Sequence, residues 1–293
     1  MNDTNPYQAP VDRLLQEIEF NNFRKEWPDY LALYGFTAAD LPELIRLSLD
    51  EEPPDCQNYE WMLHGLIAVA QLDPKSAINL YLQQIHLFIG DILLLEESSR
   101  LCRKVGKIAI EPCASFLQNT AEDEWSRVAI VDGLEEIAKS DADSREACVQ
   151  VMINQLSFYK LEVSAVVTSA LVDNLAELQA VEAADLIESA FADGDLDEWR
   201  TGSWPAVQVR LGLKSESDFS PEELKSTPPP QVVAIREALD QLAGFQPSMK
   251  RVKTQSGSKQ ELLNFSNQAA LQPKNPGFGS SQPRQKKNKK KKR

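Results

Sequence analysis

The chain has 293 residues, 42% hydrophobic and 26% charged, the balance of a soluble globular protein with room for a core of its own. No apolar run approaches the ~20 residues that cross a bilayer, and the polar start Met1-Asn2-Asp3-Thr4-Asn5-Pro6 lacks the basic-then-apolar layout of a signal peptide. A cytoplasmic protein without a membrane span is therefore expected.

Charge is divided along the chain. Residues 1–249 hold 18 basic and 43 acidic side chains, a net of −25, whereas Lys250 to Arg293 holds 13 basic and one acidic, a net of +12. The four cysteines, Cys56, Cys102, Cys113 and Cys148, form no CxxC pair and no zinc-like spacing with His64 or His86. They read as reduced thiols packed as small apolar side chains.

Residues 1–10 carry two prolines and are expected to be flexible. Leu14, Leu15, Ile18 and Phe23 fit a helical stripe from Val11 to about Phe23. Pro28 suits the start of a short helix that ends at Gly35. Thr37 is a good N-cap, with Asp40 placing negative charge near the positive helix end. Leu41, Leu44, Ile45 and Leu49 then face one way, and Pro53-Pro54 stops the helix.

Two apolar helices follow, about Tyr59–Leu72 and Pro74–Phe88, with Asp73 as cap and Pro74 at the first helical position. Ile78, Tyr81, Leu82, Ile85 and Phe88 form the buried stripe of the second, and both histidines sit on these helices as structural residues. The next unit begins at Ile92. Leu94, Ser98, Leu101, Cys102 and Val105 line one face of its first helix, Gly106 supplies a left-handed turn, and Cys113, Phe116 and Leu117 face the core from its second helix. A third helix, about Trp125–Ala138, points Ile130, Leu134 and Ile137 inward and Asp132, Glu135 and Glu136 outward. Further helices cover about Ser144–Leu156, Glu162–Leu178 and Val181–Ala192, with Asn174 on an apolar face as a satisfied core hydrogen bond.

The Ala-x-Glu turn recurs at Ala109-Ile110-Glu111 and Ala180-Val181-Glu182. Second helices begin near Pro74, Pro112, Arg145 and Val181, and this spacing of roughly 33 to 38 residues predicts an all-α solenoid of stacked helix pairs. Residues 193–230 are irregular; Ala206 to Leu211 is either a short strand or a helix after Pro205, and Trp199 and Trp204 are expected to seal the end of the stack. In domain terms, 11–213 is the solenoid, 214–230 a proline-rich linker, 231–244 a terminal helix with Val232, Ile235, Leu239 and Leu242 on one face, and 245–293 a disordered basic tail.

Val105–Leu117 resembles the short HEAT-like repeats of the phycobilisome-lyase type. The larger pattern is similar to a bacterial family of HEAT-like-repeat proteins of unknown function. It matches in Tyr34-Gly35-Phe36-Thr37 with Asp40-Leu41-Pro42-Glu43-Leu44-Ile45, in Trp125–Ile137, in Leu178–Phe191, and in Trp204-Pro205-Ala206-Val207-Gln208 with Leu211-Gly212-Leu213. The resemblance covers roughly residues 30–215 and implies a solenoid of HEAT-like hairpins with no established activity. Some members end in a cysteine-rich zinc motif; this sequence has no cysteine after Cys148, so no zinc is carried over.

No phosphate-binding glycine loop, nucleophile elbow or H-E-x-x-H is present, so no catalytic, cofactor or metal site is assigned. The residues with a plain physical consequence are Arg284, Lys286, Lys287, Lys289, Lys290, Lys291, Lys292 and Arg293. Seven charges in the last eight residues attract phosphate polymers by counterion release without reading sequence. The reading is a non-enzymatic scaffold that binds an unknown protein on its concave face, with the tail touching RNA, the ribosome or another polyanion. The alternatives are an RNA- or ribosome-associated factor led by the tail, or a lyase-like chaperone of pigment proteins.

Overall fold

Local capping sets where many of the helices start. The Asp73 carboxylate accepts from the amides of Lys75 and Ser76, and Pro74, which has no amide to satisfy, opens the helix behind it. In the same way Asp29, Asp123, Asp141, Ser164, Asp197 and Ser203 each accept from an amide of the first turn they precede. The computed structural model describes residues 7–14, 27–50, 60–89, 92–162, 164–194 and 196–226. All of these belong to one unit, Met1–Ile235; the second, Arg236–Arg293, lies outside the described residues, as do the expected terminal helix 231–244 and the tail.

The helices are α1 (Tyr30–Tyr34), α2 (Leu41–Ser48), α3 (Glu60–Leu72), α4 (Pro74–Phe88), α5 (Ile92–Val105), α6 (Ile110–Gln118), α7 (Glu124–Ser140), α8 (Ala142–Leu156), α9 (Ala165–Glu177), α10 (Ala184–Asp193), α11 (Glu198–Thr201) and α12 (Trp204–Arg210). Among the described residues there is no strand, and no helix is long and apolar enough to cross a membrane. Residues 204–210 resolve as helix α12, with Pro205 in its first turn. Of the helix expected from Val11 to Phe23, a 3-10 turn at Val11–Arg13 is described; residues 15–26 lie outside the described set.

Packing follows an alternating rule. The odd helices α3, α5, α7 and α9 lie each against the next, α4 packs on α6, and α6 packs on α8. Each even helix also meets the odd helix that follows it: α4 meets α5, α6 meets α7, and α8 meets α9. The core runs continuously between these helices through Ile78, Leu101, Cys113, Ile130, Leu134, Met152, Leu171 and Ile187. Helices α5 and α7 approach so closely that a Cβ on Gly133 would stand 2.7 Å from Cys102 Sγ, so a hydrogen is all that fits there.

Gly106 has φ 66, and from it a 3-10 turn, Gly106–Ala109, leads into α6. The related turn before α10 has its left-handed residue at Gln179, φ 51, and a 3-10 turn at Val181–Ala183. The shared Ala-x-Glu sequence therefore sits on two different backbones, and α10 starts at Ala184 rather than Val181.

Four expectations need correction. Asp132 does not point to solvent: its Oδ1 accepts from Asn174 Nδ2 and Arg200 Nη2, each at 2.9 Å, because α9 and α11 cover that side of α7. Glu135 is likewise largely enclosed beside Lys139. Leu49 lies past the end of α2, where it is exposed rather than part of the stripe. Trp204 does pack on Phe191 of α10, with ring centroids 5.5 Å apart, but Trp199 is 50% exposed and covers little. Asn174, by contrast, is buried and satisfied as expected, donating to Asp132 and to the Ala170 carbonyl.

Candidate functional site

Helix α9 begins later than its hydrophobic pattern suggests, and the reason leads to the site. Glu162 stays outside the helix because Arg127 of α7 holds it. Arg127 Nη1 donates to Glu162 Oε1 at 2.9 Å, and Nη2 donates to the other carboxylate oxygen and, at 3.1 Å, to the Leu117 carbonyl at the end of α6. The Arg127 and Glu162 side chains are only 2% and 4% exposed. Burial pushes the Glu162 carboxyl up, but the hydrogen bonds and charge of Arg127 outweigh it and leave the group below the usual range. Ser164 then takes over as cap of α9, its hydroxyl also donating to Glu124 at 2.6 Å.

This clasp fixes the link between α8 and α9, and the link carries two large apolar side chains with no core to enter. Phe158 is 56% exposed and Leu161 78%. They stand on the rim of a hollow of about 500 Å³. Ala114, Leu117 and Gln118 line it from the last turns of α6, and Val151, Asn154 and Gln155 from those of α8. Trp125, in the first turn of α7 and two residues from Arg127, is another exposed aromatic at this end of the helices. Thr120 and Glu162 complete the lining. A hollow that joins apolar patches, side-chain amides and a rim of exposed large side chains is suited to receiving a protein segment. Sequence reading passed over it, treating 157–161 as a plain link. The available signal was two large apolar residues in a link with no helical stripe to join.

The other candidates fall elsewhere. His64 is buried, its Nδ1 2.5 Å from the Tyr30 hydroxyl, and burial lowers its pKa to about 3, so it stays neutral. His86 is exposed. Cys102, Cys113 and Cys148 are buried. The thiol of Cys113 is pushed up by its hydrogen bond with Cys102 and by burial, and that of Cys148 by burial to about 12, so both stay protonated and unreactive. Cys56 lies outside the described residues, and no group of three or more potential metal ligands occurs among those described. A second hollow of about 450 Å³ lies between Trp27, Arg103, Lys104 and Ser140. The eight basic tail residues from Arg284 to Arg293 lie outside the described residues.

No curated protein and no solved structure matches this chain. A family model described as a protein of unknown function (DUF1186) matches residues 51–241, more than half of the sequence and all of the helices that build the hollow. The chain belongs to that family.

Proposed function

We propose that this chain is a non-enzymatic α-solenoid of HEAT-like hairpins that binds a protein partner in the cytoplasm, with the hollow between α6 and α8 as its docking site. The observation that carries the reading is the exposed pair Phe158 and Leu161 beside a hollow with mixed apolar and polar walls, held in place by a buried ion pair. Exposed large apolar side chains grouped around a concavity mark interaction surfaces. The alternating contacts of odd and even helices support the solenoid reading. The enclosed, neutral His64 and the protonated thiols support a role without chemistry of its own. The basic run ending in Arg293 adds a salt-sensitive tether to a polyanion.

A photo-reactive residue in place of Phe158, in the full chain inside the producing cell, tests the docking reading. A discrete cross-linked protein that disappears when Leu161→Asp is added is the expected result. Cross-linking that is diffuse, or unchanged by Leu161→Asp, would overturn it. A chain cross-linked to a second copy of itself would replace the partner with self-assembly.

A further inference from the structure

Charge at the hollow narrows the partner, and this step rests on the docking reading above. The hollow is built from the last turns of α6 and α8, and neither helix has a basic residue in its last turn. Each carboxyl end carries roughly half a negative charge. At α6 the protein supplies the missing cation itself, through the Arg127 guanidinium on the Leu117 carbonyl. At α8 the last carbonyls accept from neutral donors, the Ser157 hydroxyl and the amides of Ser157, Phe158 and Tyr159, and no described cation reaches them. Two basic residues occur on α6, α8 and the link 157–162, and both are spoken for: Arg145 pairs with Glu182 and donates to the Leu178 carbonyl, and Lys160 pairs with Asp193 at 3.1 Å. Beside the lining residue Thr120, Glu122 and Asp123 of the link after α6 add negative charge at this end of the helices, and Glu162, whose charge Arg127 balances, lines the hollow itself.

We infer that the hollow takes a basic amphipathic segment of a partner protein, its apolar side chains seated against Phe158, Leu161 and Val151 and a lysine or arginine placed at the carboxyl end of α8. A second copy docked through the same face is a poor occupant, because it would set the same acidic helices against one another. The segment's cation would do for α8 what Arg127 does for α6.

Two synthetic amphipathic peptides with the same apolar face, one with lysine and one with glutamate on the polar face, test this against the full chain by titration calorimetry. The lysine peptide is expected to bind, with affinity falling as salt rises and at least about tenfold in the uncharged variant Leu161→Ser; the glutamate peptide is expected to show no binding that Leu161→Ser weakens. A lysine peptide that fails to bind, a glutamate peptide whose binding falls in Leu161→Ser, or lysine-peptide binding untouched by Leu161→Ser would overturn the inference. A partner trapped at position 158 through an acidic segment would overturn the inference while leaving the docking reading intact; the absence of any trapped partner would remove both.

Discussion

His64 shows how one buried side chain makes this fold sensitive to acid. Its pKa is lowered to about 3 by burial, against an ordinary value of 6.5. The folded protein holds the ring neutral, while the unfolded chain takes up a proton as pH falls below that ordinary value. The unfolded state then binds more protons, so stability is lost as pH falls from about 6.5 towards 3. The loss amounts to about 2 kcal/mol at pH 5. Urea unfolding at pH 7.5 and pH 5 should show this loss, and a folded His64→Gln variant should lack the histidine's share of it. Gly106 is a second position where one residue type is required. With φ 66 and no atom within 4 Å of an added Cβ, Gly106→Ala meets backbone strain and no clash, so a stability loss of about 1–2 kcal/mol is expected. Its role was legible in the sequence because a glycine between two apolar helical runs has few other readings. The environment of His64 was not, because Tyr30 lies 34 residues away.

Between elements, the Arg127–Glu162 clasp is the contact with the largest expected consequence. Arg127→Met leaves Glu162 buried without its partner and should cost about 3–5 kcal/mol, whereas Arg127→Met with Glu162→Leu should come back to within about 1 kcal/mol of the parent protein. A double-mutant cycle in urea measures both. Gly133→Ala forces α5 and α7 apart at Cys102 and should cost about 1–3 kcal/mol; adding Cys102→Ala should recover part of it. Helix starts were readable where a cap and the first turn adjoin plainly in sequence, as at Asp73-Pro74 and at Thr37 with Asp40. They were misread where a distant side chain decides. Glu162 looked like the first residue of a helix until Arg127, 35 residues earlier, is seen to hold it. Asp132 looked solvated until Asn174 and Arg200, 42 and 68 residues later, are seen to reach it. Arg127 itself carried a signal, since it stands three before Ile130 and seven before Leu134 on the buried face of α7 and needed a counter-charge.

At the scale of the molecule, the chain joins an acidic helical body to a basic terminal stretch, and the body offers a hollow beside Phe158 and Leu161. Those two side chains contribute little to folding, because both remain largely in solvent, so Leu161→Asp should leave stability within about 0.5 kcal/mol of the parent. That separates binding from folding. The deciding measurement is the affinity of the partner trapped at position 158 for the full chain and for its Leu161→Asp variant at matched folding stability. A dissociation constant at least about tenfold weaker for the variant is predicted. Equal affinities would contradict the assignment of the hollow between α6 and α8 as the docking site.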